Sequence, residues 1–143
     1  MLARIEAKGL APAADAAPHQ LIRRMTFALT GLPPTPEETA AFEAAYAADA
    51  DRAVAAAADR LLASPRFGEY WAVHWMDGVR FDQLHQSADI YRAWLIRAFN
   101  AGLPYDQFVK WQLVGDLLPP SGNKAVDDDR LTATHMLTLN LGE

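Results

Sequence analysis

Cysteine is absent from the 143 residues. That excludes a structural disulfide, a thiolate zinc site, a Cys-x-x-Cys redox centre and covalent c-type haem attachment within the chain. Long apolar runs are missing as well. The longest alanine-rich stretch is interrupted by Asp49, Asp51, Arg52 and Asp59, so nothing approaches the roughly 18 to 20 residues of a membrane-spanning helix, and a soluble chain is expected. Basic residues are in the minority, 13 Lys and Arg against 18 Asp and Glu for a net charge of −5. They are also scattered, which argues against a nucleic-acid partner held on a cationic face. There is no Gly-x-Ser-x-Gly elbow and no glycine-rich phosphate loop. No segment alternates polar and apolar residues with the period of two that marks a strand.

What is present forms helices. Alanine supplies 28 residues, 13 of them between positions 40 and 63, so much of the apolar content there is helix-forming filler and not bulky core. Of the 14 aromatic residues, 11 lie between Phe67 and Trp111. Large rings dominate the burial energy of a small domain, so the middle of the chain is expected to hold the core.

Residues 1–17 contain neither the apolar segment nor the cleavage site of a signal peptide and read as a linker or unstructured start, with residues 18–143 as one helical domain. Pro18 opens a helix through Leu21, Ile22, Met25, Ala28 and Leu29 that Gly31 stops. Thr35-Pro36-Glu37-Glu38 is an N-cap, a proline at the first helical position and a capping-box glutamate, starting a second helix. A third follows Asp49 and ends by Ala63. Ser64-Pro65 repeats the cap-plus-proline device and opens a fourth, in which Phe67, Trp71, His74, Trp75 and Gly78 recur at helical spacing and predict a buried aromatic seam. Phe81–Ala88 is ambiguous. Tyr91, Trp94, Leu95, Ala98 and Phe99 mark a fifth helix closed by Asn100 and Gly102, and Pro104 and Asp106 start a sixth that runs through Leu113. Residues 119–129 read as an exposed loop and Asp129–Leu139 as a last helix. The expected fold is all-α, a compact bundle of six or seven short helices around an aromatic core.

Four residues are candidates for catalysis: His74, Asp77, Arg80 and Asp116. His74 and Asp77 are neighbours one helical turn apart, and a carboxylate so placed can orient an imidazole for acid–base work. Asp82 and His85 extend the constellation. The competing structural reading has His74 hydrogen-bonded in the core beside Trp71 and Trp75, with Asp77 and Arg80 paired. No His-Glu-x-x-His or Glu-x-x-His repeat is present, so no metal site is expected. Asp116 falls at the end of the sixth helix, against the dipole, and calls for a partner such as a backbone amide, Arg24 or Arg80. Arg66, Arg92 and Arg97 flank the aromatic region. With Trp94 or Trp111 as a stacking platform they are candidates for binding an anionic sugar; as ordinary surface residues they pair with Glu69, Asp89 or Asp106. Gly68 and Gly78 inside the fourth helix imply close approach of another helix.

The order of these blocks carries a resemblance. Leu21-Ile22-Arg23-Arg24 through Gly31-Leu32-Pro33-Pro34-Thr35-Pro36, then Arg60-Leu61-Leu62-Ala63-Ser64-Pro65-Arg66-Phe67-Gly68, His74-Trp75-Met76-Asp77, Tyr91-Arg92-Ala93-Trp94-Leu95 and Gly115-Asp116-Leu117-Leu118-Pro119 are similar to the DUF1549 family, the planctomycete cytochrome-associated PSCyt2 domain. The chain departs from that pattern at Asp82–Gln86 and at Leu131–His135, and it stops short of the family's full extent. The reading is therefore of a fragment or a diverged stand-alone copy. The resemblance implies a domain of large periplasmic or secreted multidomain proteins, with cytochrome c-like and DUF1553 domains as neighbours and partners. It implies no cofactor in this chain, haem being confined to a neighbouring domain, and no established catalytic activity. Two functions follow as expectations: a non-catalytic helical interaction module, or an enzyme or carbohydrate-binding domain that takes a polysaccharide through the His/Asp/Arg cluster. The first is preferred.

Overall fold

A computed structural model of the chain describes residues 2–11, 15–80 and 88–138. Among these residues the elements are α1 (Leu2–Glu6), α2 (Pro18–Thr30), α3 (Pro36–Ala48), α4 (Ala50–Leu62), α5 (Pro65–Gly78), α6 (Ala88–Asn100), α7 (Tyr105–Val114), a 3-10 turn (Gly115–Leu117), α8 (Lys124–Ala133) and α9 (His135–Thr138). The fold is an all-α bundle.

The start and stop signals act as their chemistry dictates. The Thr35 hydroxyl accepts the Glu38 amide at 3.2 Å, and the Glu38 carboxylate accepts the Thr35 amide at 2.9 Å, closing the capping box of α3. Asp49 and Ser64 cap α4 and α5 by accepting the amides of Arg52 and Arg66. Gly31 ends α2 in the left-handed conformation, φ 71°, which costs a glycine nothing.

Two segments hold more helix than the sequence pattern assigns to them. Within the expected N-terminal linker, Leu2–Glu6 form a short helix. The expected loop at 119–129 is helical from Lys124 onward, because the Asn123 side chain accepts the Ala125 amide at 3.0 Å and Asp127 sits in the first turn, where a negative charge meets the positive end of the dipole. The last predicted helix is divided at Thr134 into α8 and α9.

Two apolar clusters make the interior. Ile22, Phe42, Ala53 and Ala57 join α2, α3 and α4; alanine at the α4 positions lets the helices approach closely but contributes little area. The larger cluster lies in α5–α8, around Tyr91, Trp94, Leu95 and Phe108. Tyr91 stacks on Trp94 (5.9 Å, 16°) and Trp94 on Phe108 (5.4 Å, 12°), contacts that add about 0.5–1.5 kcal/mol each to simple burial. The most extensive helix contact, α5 with α6, closes over Gly68: a Cβ there would lie 2.5 Å from the Ile96 carbonyl oxygen and 2.7 Å from Asn100.

The face that α5 turns inward differs from the predicted one. Gly68, Ala72 and Met76 are its buried residues, and Trp71 is 38% exposed. The stripe of rings lies beside the buried face because α5 and α6 cross closely at Gly68 and Ala72, where a ring has no room.

Candidate functional site

The displaced rings line an open apolar groove of about 390 Å³. From α5 come Phe67, Trp71, His74 and Trp75, and from α7 Tyr105 and Phe108. Between them lies the turn after α6. There Gly102, φ 62°, lets its amide bond the Phe99 carbonyl at 3.1 Å and the Leu103 amide bond the Ala98 carbonyl at 3.0 Å. This Schellman closure folds Leu103 back over Ala98, and both line the groove. The floor is apolar, with Phe108 and Ala98 buried, while Tyr105 on one bank is 73% exposed.

Beneath the floor a polar network fixes Trp75. Its indole N–H donates to the Gln112 side-chain oxygen at 2.8 Å and is shared with the Tyr91 hydroxyl at 3.1 Å. The Tyr91 hydroxyl donates to the same oxygen at 2.5 Å, and the Gln112 amide donates to the Phe108 carbonyl at 3.0 Å. Gln112 thus anchors both a wall ring and the backbone of α7, so the groove rests on a rigid support. Burial pushes the Tyr91 phenol well above its ordinary range, outweighing the opposing hydrogen bond from Trp75. Sequence reading missed this triad: Gln112 carried no signal beyond helical spacing.

The catalytic candidates do not gather around the groove. His74 lines it, but Asp77, Arg80 and Asp116 are not among its lining residues. Among the described residues His74 meets rings, Tyr70 at 4.4 Å and perpendicular to it and Trp71 at 5.8 Å, and is exposed, contrary to a hydrogen-bonded core position. Asp77 is exposed and its backbone carbonyl accepts the Arg80 amide at 3.1 Å. Arg80 leaves α5 in the left-handed region, φ 56°. Asp116 sits exposed in the 3-10 turn beyond the end of α7, and neither Arg24 nor Arg80 is paired with it. Asp82 and His85 lie outside the described residues.

The binding candidates separate too. Trp94 is 1% exposed, so it offers no ring face to a ligand. Trp111 is half-buried with the Arg130 guanidinium over its ring at 5.6 Å. Arg97 pairs with Asp129 at 2.6 Å and Arg66 with Glu69 at 3.2 Å. Arg92 is exposed beside a small cavity of about 40 Å³ that it shares with Asp89. No group of three or more metal-ligating side chains is found among the described residues, and no helix there is long and apolar enough to cross a membrane.

The family described as PSCyt2, protein of unknown function (DUF1549), matches residues 1–142. The chain belongs to this family. No curated protein matches it, and no solved structure does. The PSCyt2 match takes in the N-terminal α1 segment together with the groove helices. The groove is therefore a feature inside the family region, built from α5, the α6 turn and α7.

Proposed function

We propose that this PSCyt2 chain is a non-catalytic interaction module of a bacterial envelope or secreted multidomain protein, and that the aromatic groove seats apolar side chains of a neighbouring domain of the cytochrome c-like or DUF1553 kind. The neighbours and the compartment come from the sequence resemblance; the groove itself carries the reading. It joins an apolar floor to exposed amphipathic rings, Trp71 and Tyr105, on opposite banks. Rings of this kind supply large contact area with little rotamer entropy to lose, and they are enriched at protein interfaces. The catalytic alternative draws no comparable support, since only His74 of its four residues lines the groove.

Titration of the chain with a recombinant cytochrome c-like domain and a recombinant DUF1553 domain of the same family context tests this. Binding is read by titration calorimetry, and docking to the unsubstituted chain is also expected to shift the Trp71 fluorescence to the blue. Trp71→Ala combined with Tyr105→Ala should weaken binding by about 100-fold, the effect of losing two interface anchors, while both exposed substitutions leave the fold intact. Equal binding by the double variant, or no binding of either domain, would sink the reading.

A further inference from the structure

A second cleft, separate from the groove, lies between α2 and α5. It has a volume of about 580 Å³ and is lined by Gln20, Arg23, Arg24, Phe27, Ala28 and Tyr70. Its size falls among small-molecule sites. No carboxylate is in the lining, and α2 carries no acidic residue although the whole chain is at −5. Among the described residues neither the Arg23 nor the Arg24 side chain has an ion pair or hydrogen bond, and the Tyr70 hydroxyl has no partner. The Gln20 side-chain oxygen already accepts the Ala17 amide at 3.3 Å, which leaves its N–H groups to donate. The polar groups offered to a ligand can thus all donate, and two of them are positive.

The cleft is also stiffened before anything binds. The Arg23 guanidinium lies over the Phe27 ring at 4.8 Å, which restricts its rotamers. The Tyr70 ring is held by its perpendicular contact with the His74 ring and by Gly31, whose backbone is so close that a Cβ would overlap the ring carbons. Guanidinium forks match tetrahedral oxyanions, and a preorganised fork loses less entropy on binding.

We infer that this cleft binds a small molecule carrying a phosphate or sulfate ester, its oxyanion held by Arg23, Arg24 and the Gln20 amide and its organic part set against Phe27 and Tyr70. The probes are inorganic phosphate and inorganic sulfate, titrated at constant ionic strength against a chloride background. Amide NMR shifts of α2, the Gln20 side-chain amide and the Tyr70 ring are followed. Saturable shifts at those residues are expected, and the anion that binds more tightly identifies the ester. Arg23→Ala with Arg24→Ala should weaken binding by at least about 10-fold, as loss of charge-assisted bonds does. Arg52→Ala, at an exposed arginine on α4, should not. Both cleft arginines are exposed, and a thermal melt confirms that the variant folds; if it does not, Arg24→Gln supplies the same comparison. Shifts no larger than those from chloride, or unchanged binding by the cleft variant, would overturn the assignment.

Discussion

Two glycines in one helix serve opposite ends. At Gly68 a Cβ would meet the Ile96 carbonyl and the Asn100 side chain, whereas at Gly78 nothing among the described residues lies within 4 Å. Gly68→Ala gains about 1 kcal/mol of helix propensity but forces α5 and α6 apart. Overpacking against backbone costs about 1–3 kcal/mol, so a net loss of stability is expected. Gly78→Ala gains the propensity without the clash and should stabilise the chain by about 0.5–1 kcal/mol. Thermal or urea unfolding of the two variants checks the sign; shifts in the same direction would refute this account. In the sequence both glycines read alike, as interruptions that a neighbouring helix explains. Only the packing separates them, because close approach depends on where α6 crosses. The same limit applies to Trp71: helical spacing put it in a stripe of rings, but not on the face that meets α6.

Helix ends were the most readable elements, since capping is local chemistry. Thr35, Glu38, Asp49, Ser64 and Gly31 act within three or four residues of where they stand. Glu38 does more than its spacing shows, for it also pairs with Arg60 of α4 at 2.6 Å, an exposed bridge of at most about 1 kcal/mol. The N-terminus of α5 has a cap that no local motif reveals. Its first turn is tightened, with the Phe67 amide on the Ser64 carbonyl at 2.9 Å. The Gly68 amide goes instead to the Asn100 side-chain oxygen at 2.8 Å, and the Asn100 amide donates to the Pro65 carbonyl at 3.2 Å. Asn100, at the end of α6, therefore caps α5 from a distance. Asn100→Ala should cost about 1–2 kcal/mol, since it orphans a buried N–H. Asn100→Asp, which keeps the acceptor, should cost less. Equal losses from the two substitutions in denaturant titrations would rule out the capping role.

The interior as a whole is two clusters joined where α2 meets α5, with Gly31 against the Tyr70 ring. The larger holds the Trp75–Tyr91–Gln112 network, and this gives stability a pH dependence. Burial raises the Tyr91 pKa in the folded chain above the ordinary phenol value. The folded state then keeps its proton where the unfolded chain has lost it, so stability is fully present below about pH 10 and falls as pH rises beyond it, by up to about 1.4 kcal/mol per unit. Tyr91→Phe should lose about 1 kcal/mol at neutral pH for the missing hydrogen bond, yet show a shallower decline between about pH 10 and 11. Parallel alkaline profiles for the two proteins would exclude Tyr91 as the cause.

Helix type, most helix limits, the absence of thiol chemistry and the family's order of blocks could be read along the chain, because each rests on interactions spanning a few residues or on composition. Which faces became core, where the rings opened into a groove, how Gln112 and Asn100 found distant partners and why two arginines share an acid-free cleft rested on helix crossings. Those crossings follow from side-chain volumes meeting across elements far apart in sequence, where the small residues of α5 let α6 in and pushed the large ones outward.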